Sequence, residues 1–170
     1  MVKKLKKMSI QKALLIELER EKDNTMRMLK VLPDEHFSWK PHVKSYTLGE
    51  LANHIVELHN WVTAVIEKDE LNFYTDYKRS ELPNAEALIQ TLEKGYEANK
   101  AALENLEEAN YFGTWTLRAG DHVLVSLPKA GAIRFIVNNH LIHHRGQLSV
   151  YLRLLDVPVP GIYGPSADEK

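Results

Sequence analysis

The chain of 170 residues contains no cysteine. This absence excludes disulfide bonds, a thiolate nucleophile and any zinc site built on cysteine ligands. A bound metal ion would have to be held by histidine, aspartate or glutamate, and thiol chemistry would need a small-molecule thiol from outside the chain. Internal repeats, low-complexity segments and a recognisable linker are also absent from the sequence. We therefore expect a single domain over residues 1–170.

The sequence has neither a strong charge of one sign nor a long apolar run. Its formal net charge is −1 and no basic run lies near interleaved aromatic residues, which argues against a nucleic-acid-binding protein. No segment approaches the roughly 20 apolar residues of a membrane span. Lys12, Glu17 and Glu19 interrupt the apolar residues that a signal peptide would need near the N-terminus. We expect a cytoplasmic protein that binds neither nucleic acid nor membranes.

Four long segments have the apolar periodicity of amphipathic helices. Ser9 is a suitable N-cap for the first, which Pro33 ends, and Thr47 and Glu50 form the capping-box pattern Thr-x-x-Glu at the start of the second. The four segments cover about Ser9–Leu32, Thr47–Glu67, Asn84–Glu108 and Lys129–Asp156.

Between the third and fourth segments, apolar residues alternate on either side of a turn at Ala119-Gly120-Asp121. Trp115 and Leu117 precede the turn, and Val123, Val125 and Leu127 follow it. This pattern predicts a β-hairpin. The connection from Glu67 to Leu82 is long enough to indicate at least one crossover. The expected fold is all-α, a four-helix bundle with a crossover connection and a small β-hairpin before the last helix.

The last helical segment contains NNHLIHHRGQLS at positions 138–149. His140 and His144 lie four residues apart near the predicted centre of its apolar stripe, and His143 lies nearer the flank. Two imidazoles one turn apart can converge on one ion, which would satisfy ring nitrogens whose burial without partners costs a few kcal/mol. The alternative is that both are core-edge histidines satisfied by hydrogen bonds.

The second helix offers a further ligand in either His54 or His59, which lie five residues apart and cannot both point the same way. Counting around the helix slightly favours His59, but periodicity does not decide between them. His36, His42 and His122 fall in predicted loops and are interpreted as surface residues.

Several motifs together resemble those of the DinB/YfiT-like superfamily. They are His-x-x-x-His-Arg-Gly-Gln from His140 to Gln147, TLGELANHI around His54, Trp-Lys-Pro at residues 39–41, and the tail YLRLLDVPVPGIYGPSADE. The resemblance covers about residues 10–168. It implies a bundle that binds one divalent metal ion, most commonly nickel or zinc, through His54, His140 and His144. His143 would not be a ligand, and His59 would be a supporting or pocket residue.

The resemblance also implies a function. The protein would be a metal-dependent enzyme that uses a metal-bound thiol or water as nucleophile, a thiol-dependent transferase or a hydrolase. Its partners would be a low-molecular-weight thiol and a small-molecule substrate, and it would form a homodimer. One alternative is a non-catalytic, stress-associated bundle that binds a metal or ligand, and another is a helical interaction module without metal. No general base is indicated, because Glu57 and His59 are better interpreted as surface or hydrogen-bonding residues.

Three further expectations concern the end of the chain. Arg145 is expected to project away from the apolar stripe and to pair with a carboxylate or the C-terminal tail. Gly146 is expected to mark the close approach of a neighbouring helix, since glycine costs a helix about 1 kcal/mol relative to alanine. Tyr163, Pro165 and Asp168 are expected to order the tail against the bundle.

Overall fold

The computed structural model of the chain describes residues 9–169. Residues 1–8 and Lys170 lie outside this range. The first three helices are α1 (Ile10–Leu29), α2 (Leu48–Glu67) and α3 (Ala85–Asn105), and the strands are β1 (Glu70–Asn72), β2 (Thr114–Ala119) and β3 (His122–Pro128). Short 3₁₀ turns occupy Asp34–His36 and Glu108–Phe112.

The predicted helix starts are confirmed by their side-chain caps. The Ser9 hydroxyl accepts a hydrogen bond from the Lys12 N–H at 3.2 Å. Thr47 and Glu50 form the complete reciprocal capping box, and the Asn84 side chain caps α3. These local interactions satisfy N–H groups that have no partner within the first helical turn.

The last helix, which we call α4, is continuous but not uniform. It comprises α-helical Lys129–Ala132, a π-helical turn at Ile133–Asn138 and α-helical Asn139–Leu154. At the end of the π turn the Asn139 N–H donates to the Arg134 carbonyl five residues earlier. The sequence predicted the helix but not the π turn, which inserts an extra residue and rotates all later side chains relative to an ideal helix.

The four helices form a bundle in which α2 packs against both α3 and α4, while α1 packs mainly against α3 and also contacts α4. Helices α1 and α2 are therefore diagonal to each other although they are consecutive in sequence. The chain crosses the bundle between α1 and α2 and again between α3 and α4. The long 67–82 connection joins the neighbours α2 and α3. The predicted bundle with a crossover is confirmed, but the 67–82 connection that indicated a crossover is not where the chain crosses.

The small sheet has the order β1-β2-β3. Strands β2 and β3 form the predicted antiparallel hairpin, and Gly120 at its turn has φ of +60°, a conformation that glycine adopts without steric cost. Strand β1 pairs in parallel with β2, with Leu71 opposite Leu117. It was not predicted, because three residues are too few to show a period.

The core lies between the helices, and α2 contributes more buried residues to it than any other helix. None of the described helices is long and apolar enough to cross a membrane. At the sheet end of the bundle, the Lys129 ammonium donates to the carbonyl oxygens of Ile66 at 2.7 Å and Lys68 at 2.9 Å. This contact fixes the start of α4 to the end of α2, and so holds together the two helices that carry the candidate site.

Candidate metal centre

The site lies between α2 and α4, where the side chains of His54, His140 and His144 meet. One nitrogen atom from each imidazole lies within 4.8 Å of the nitrogen atoms contributed by the other two. The Nε2 atoms of His140 and His144 are 2.8 Å apart, and the His54 ring centroid is 5.1 Å from that of His140 and 4.7 Å from that of His144. Histidines from distant parts of the sequence therefore converge on one point.

Two of the three rings have a hydrogen-bonding side chain that helps to fix their orientation. His54 Nδ1 lies 3.3 Å from Glu57 Oε2, and His144 Nδ1 lies 2.7 Å from Gln147 Oε1. Metal-binding histidines characteristically use their second ring nitrogen in this way, which fixes the tautomer and directs the free nitrogen toward the ion.

Burial keeps the imidazoles of α4 neutral. Burial, together with the nearby His144, His54 and His143, lowers the pKa of His140 to about 4. Burial also lowers the pKa of His144, although its hydrogen bond with Gln147 opposes this shift. Near neutral pH both rings therefore carry a free lone pair, which is the form that binds a metal ion.

Glu57 is the main polar support behind His54. Its carboxylate is almost fully buried and accepts hydrogen bonds from the Tyr77 hydroxyl at 2.5 Å and from the Ser80 N–H. Burial alone would raise the pKa of Glu57, but the hydrogen bonds from His54, Tyr77 and Ser80 hold it below its ordinary value. The ionised carboxylate connects His54 to the 67–82 segment.

Aromatic residues surround the other side of His54. The Tyr46 ring lies 6.1 Å from the His54 ring, and the Tyr46 carbonyl accepts a hydrogen bond from the Tyr151 hydroxyl at 3.2 Å. Trp39 packs edge-on against Tyr151 at 5.7 Å. The loop that contains the Trp-Lys-Pro segment thus packs on α4 and forms a wall of the site.

The donor set fits a divalent metal such as zinc or nickel. Zinc–imidazole bonds of about 2.0–2.1 Å in tetrahedral geometry place the ligand nitrogens about 3.3–3.4 Å apart. The observed nitrogen separations bracket that value, so small ring rotations are enough to match it. Three protein ligands leave coordination positions for water or substrate, and all three histidines are only partly buried, so the centre is reachable from solvent.

The positions of Arg145 and of the two α4 histidines differ from the expectation. Arg145 is 3% exposed and lies on the buried line of α4 that includes Leu141 and Leu148, whereas His140 and His144 lie at its half-buried edge. The ideal helical wheel was wrong here because the π turn offsets the two halves of the helix.

The predicted pairing of Arg145 is confirmed, with both a carboxylate and the tail. Its guanidinium binds Glu21 at 2.5 Å and donates to the Tyr163 hydroxyl at 2.6 Å. The tail is further held by Asp168, which pairs with Arg153 at 2.6 Å. This network joins α1, α4 and the C-terminal tail directly beside His144, as expected for Tyr163 and Asp168. Pro165 is exposed.

His59 lies outside the histidine cluster. It is fully buried and shares a hydrogen bond of 2.9 Å with Thr25 Oγ1, so its role in the described structure is to connect α2 with α1. His143 is exposed and lies beside the cluster, with its ring 5.1 Å from that of His144. His36, His42 and His122 lie on the surface as interpreted, but His36 belongs to a 3₁₀ turn and His122 begins β3, so neither lies in a loop.

The interpretation of Gly146 was wrong, and that of Glu57 is narrowed to one of its two alternatives. Gly146 is exposed, and among the described residues no atom lies within 4 Å of a Cβ placed on it. It therefore marks no close approach within this chain. Glu57 was interpreted as a surface or hydrogen-bonding residue, and only the second description holds. Its spacing of three residues from His54 on one helix is the signal that could have identified it as a partner.

Comparisons with known proteins agree with this architecture. The family model described as "DinB family" matches residues 1–170. An uncharacterised protein, YrdA of Bacillus subtilis strain 168, is 28% identical over 159 residues, which cover 89% of this chain and 86% of that protein.

Solved structures of DinB-like proteins have the same fold. One from Bacillus cereus ATCC 10987 has a TM-score of 0.68 and 26% identity, covering 88% of this chain and 95% of that one. Another from Bacillus subtilis, YjoA, has a TM-score of 0.67 and 18% identity, covering 93% and 98%. A member from Exiguobacterium sibiricum 255-15 has a TM-score of 0.61 and 19% identity, covering 96% and 99%.

Proposed function

The chain belongs to the DinB family, and we propose that it is an enzyme that depends on one divalent metal ion held by His54, His140 and His144. The observation that carries this proposal is the convergence of three imidazole nitrogens within 4.8 Å, with the rings of His54 and His144 each held by a separate hydrogen-bonding side chain. Such preorganisation suits a metal ion, because the ligand orientation is set before the ion binds. Zinc and nickel are the proposed ions.

When bound, the ion would lower the pKa of a coordinated thiol or water and so supply a nucleophile near neutral pH. The chain's own residues would hold and orient the site. Glu57 keeps His54 in the required tautomer, and Gln147 does the same for His144. Because the chain has no cysteine, a thiol nucleophile would come from a low-molecular-weight thiol, which we propose as cosubstrate together with a small electrophilic substrate.

Partial exposure of the three histidines supports a catalytic role over metal storage. A closed structural site is normally completed by four protein ligands, whereas a catalytic site keeps a position open. Among the described residues, the histidines are the only group of three or more histidine, aspartate or glutamate side chains close enough to share an ion, so no fourth such residue completes the set. Tyr46 and the 67–82 segment border the site beside His54.

Elemental analysis of protein purified without added metal, followed by an activity screen, tests the proposal. We expect about one zinc or nickel ion per chain, and thiol-dependent or hydrolytic turnover that chelation abolishes and that the same metal restores. As a control, His143→Ala should keep both its metal content and its activity, because this neighbouring histidine is exposed and outside the cluster. Stoichiometric metal without turnover across thiol transfer and hydrolysis reactions would favour the non-catalytic alternative.

A further inference from the structure

Residues 77–80 lie along the face of α2 that carries the metal centre. Glu50, His54 and Glu57 share this face, since they are four and three residues apart on one helix. At one end, Tyr77 and Ser80 donate to Glu57. At the other end, Arg79 approaches Glu50. The side chain of Arg79 therefore lies along the same face as His54.

Two ring contacts place Arg79 close to the histidines. Its guanidinium carbon lies 4.6 Å from the centre of the Tyr46 ring, and that ring lies 6.1 Å from the His54 ring. Together these distances limit the separation of the Arg79 guanidinium from the His54 ring to about 11 Å. A small molecule can span that distance.

The hydrogen-bonding capacity of Arg79 is largely unused. Its nearest carboxylate oxygen, Glu50 Oε1, is 3.8 Å away, beyond ordinary hydrogen-bond length. The other oxygen of Glu50 is occupied by the Thr47 N–H at 2.7 Å. No hydrogen bond from Arg79 is formed with any of residues 9–169, whereas Arg145 and Arg153 both donate to carboxylates. The Tyr46 ring holds the guanidinium in place without using its donors.

Charged residues of both signs surround Arg79, and its free guanidinium donors decide which ligand it suits. Lys78 and Lys44, which neighbour Arg79 and Tyr46 in sequence, are exposed and add positive charge near this edge of the site. A cleft of about 400 Å³ adjoins Arg79, and its lining includes the amide of Asn53 and the carboxylates of Glu50 and Glu81. A planar guanidinium with free donors matches the geometry of a carboxylate and of similar oxyanions.

We propose that Arg79 binds an anionic group of the molecule that reacts at the metal centre, so that the substrate or cosubstrate is a small molecule with a carboxylate or a comparable oxyanion. Its reacting group would reach the histidine cluster while the anion pairs with Arg79 over Tyr46. This inference rests on the proposed function, because it requires a ligand that occupies the open side of the metal centre.

Cobalt-loaded protein provides the test, since a thiolate that binds cobalt produces a charge-transfer absorption band. The probes are 3-mercaptopropionate, which carries a carboxylate, and 2-mercaptoethanol, which does not. The measured quantity is the ratio of the affinity for 3-mercaptopropionate to the affinity for 2-mercaptoethanol. We expect this ratio to be about fivefold lower in Arg79→Gln than in the wild type. The effect is modest because the guanidinium is partly exposed. Arg79→Lys should give an intermediate ratio.

The matched control is Arg20→Gln, which removes the same charge from an exposed position on α1 and should leave the ratio unchanged. An unchanged ratio in Arg79→Gln, or an equal loss of affinity for both thiols, would overturn the inference and show that Arg79 only holds the segment in place. Wild-type protein that gives no spectrum of bound cobalt would overturn the metal centre itself, and with it this inference. The two failures are therefore distinguishable.

Discussion

His54 is hydrogen-bonded to Glu57, which lies three residues later on the same helix. The Glu57 carboxylate is buried and accepts hydrogen bonds from three groups, of which His54 Nδ1 is one. Replacing Glu57 by glutamine keeps an acceptor but removes the negative charge that makes His54 a better ligand. We expect Glu57→Gln to weaken zinc affinity by about 10- to 100-fold, measured by competition with a chelating dye.

The control for this change is Glu67→Gln, which makes the same substitution at an exposed position on the same helix and should leave zinc affinity unchanged. Circular dichroism on both variants verifies that α2 remains folded. Equal affinities for wild type and Glu57→Gln would show that the carboxylate only anchors the 67–82 segment.

His59 makes the stability of the protein depend on pH. Burial lowers the pKa of His59 to about 3, and the charges of Arg145 and Lys22 act in the same direction. Its ordinary value is 6.5, so between these values the unfolded chain binds a proton that the folded chain excludes. The free energy of unfolding therefore decreases as pH falls through this window, by about 1.4 kcal/mol per pH unit from this residue.

His59→Gln should remove that contribution. We expect urea denaturation between about pH 6 and pH 4 to show this in the free energy of unfolding. As the pH falls, that free energy should decrease less steeply in the variant than in the wild type, by about 1.4 kcal/mol per pH unit. His122→Gln, at an exposed position on β3, should leave the slope as it is. If the free energies of unfolding of wild type and His59→Gln changed with pH in parallel, the lowered pKa of His59 would be contradicted.

Local signals in the sequence identified part of the site and left the rest open. The four-residue spacing of His140 and His144 was sufficient to predict that they meet, because it depends only on helix geometry. The choice between His54 and His59 depended on where neighbouring helices lie, and periodicity could not decide it. Burial of Arg145 depends on Glu21, 124 residues earlier in the chain, so no local pattern could reveal it.

At the scale of elements, Gly95 on α3 lies against Asn60 on α2. A Cβ added there would lie 1.7 Å from Asn60 Oδ1. Gly95→Ala should therefore lower the free energy of unfolding by about 1–2 kcal/mol, the usual cost of overpacking, although alanine is the better helix former.

A double-mutant cycle shows whether the contact with Asn60 is the cause. In an Asn60→Ala background the clash is absent, so Gly95→Ala should become neutral or stabilising by up to about 1 kcal/mol. Thermal and urea denaturation of the four proteins in the cycle measure this coupling. If Gly95→Ala changed the free energy of unfolding equally in both backgrounds, the contact with Asn60 would not be the cause of its effect.

Elements fixed by nearby residues were predicted well. The caps at Ser9 and Thr47 and the turn at Gly120 act within a few residues, and the sequence located them correctly. Strand β1 and the π turn of α4 depend on distant pairing and on one additional residue in a helix. Neither leaves a periodic signal, and both were missed.

At the scale of the whole molecule, we expect a homodimer that forms through α4. Val150 and Leu154 on this helix are 57% and 58% exposed, and together with Gly146 they follow one another at four-residue spacing on one face. Apolar residues on that face would be buried by a second copy, and Gly146 would allow the helices to approach closely. Light scattering should give about twice the 19.5 kDa of one chain.

Val150→Glu combined with Leu154→Glu should shift the protein to monomer. Leu124→Glu, at a similarly exposed position on β3, is the control and should remain dimeric. A mass near 19.5 kDa for the wild type across a wide concentration range would contradict the expectation.

The most direct test of the metal centre is isothermal titration of chelator-treated protein with zinc and with nickel. We predict about one tight site per chain, lost in the His140→Ala, His144→Ala double variant and weakened by orders of magnitude in His54→Ala. His59→Ala should bind nearly as the wild type does, because His59 contacts Thr25 and lies outside the cluster. Wild-type binding no stronger than that of the double variant, or a larger loss in His59→Ala than in His54→Ala, would contradict the account.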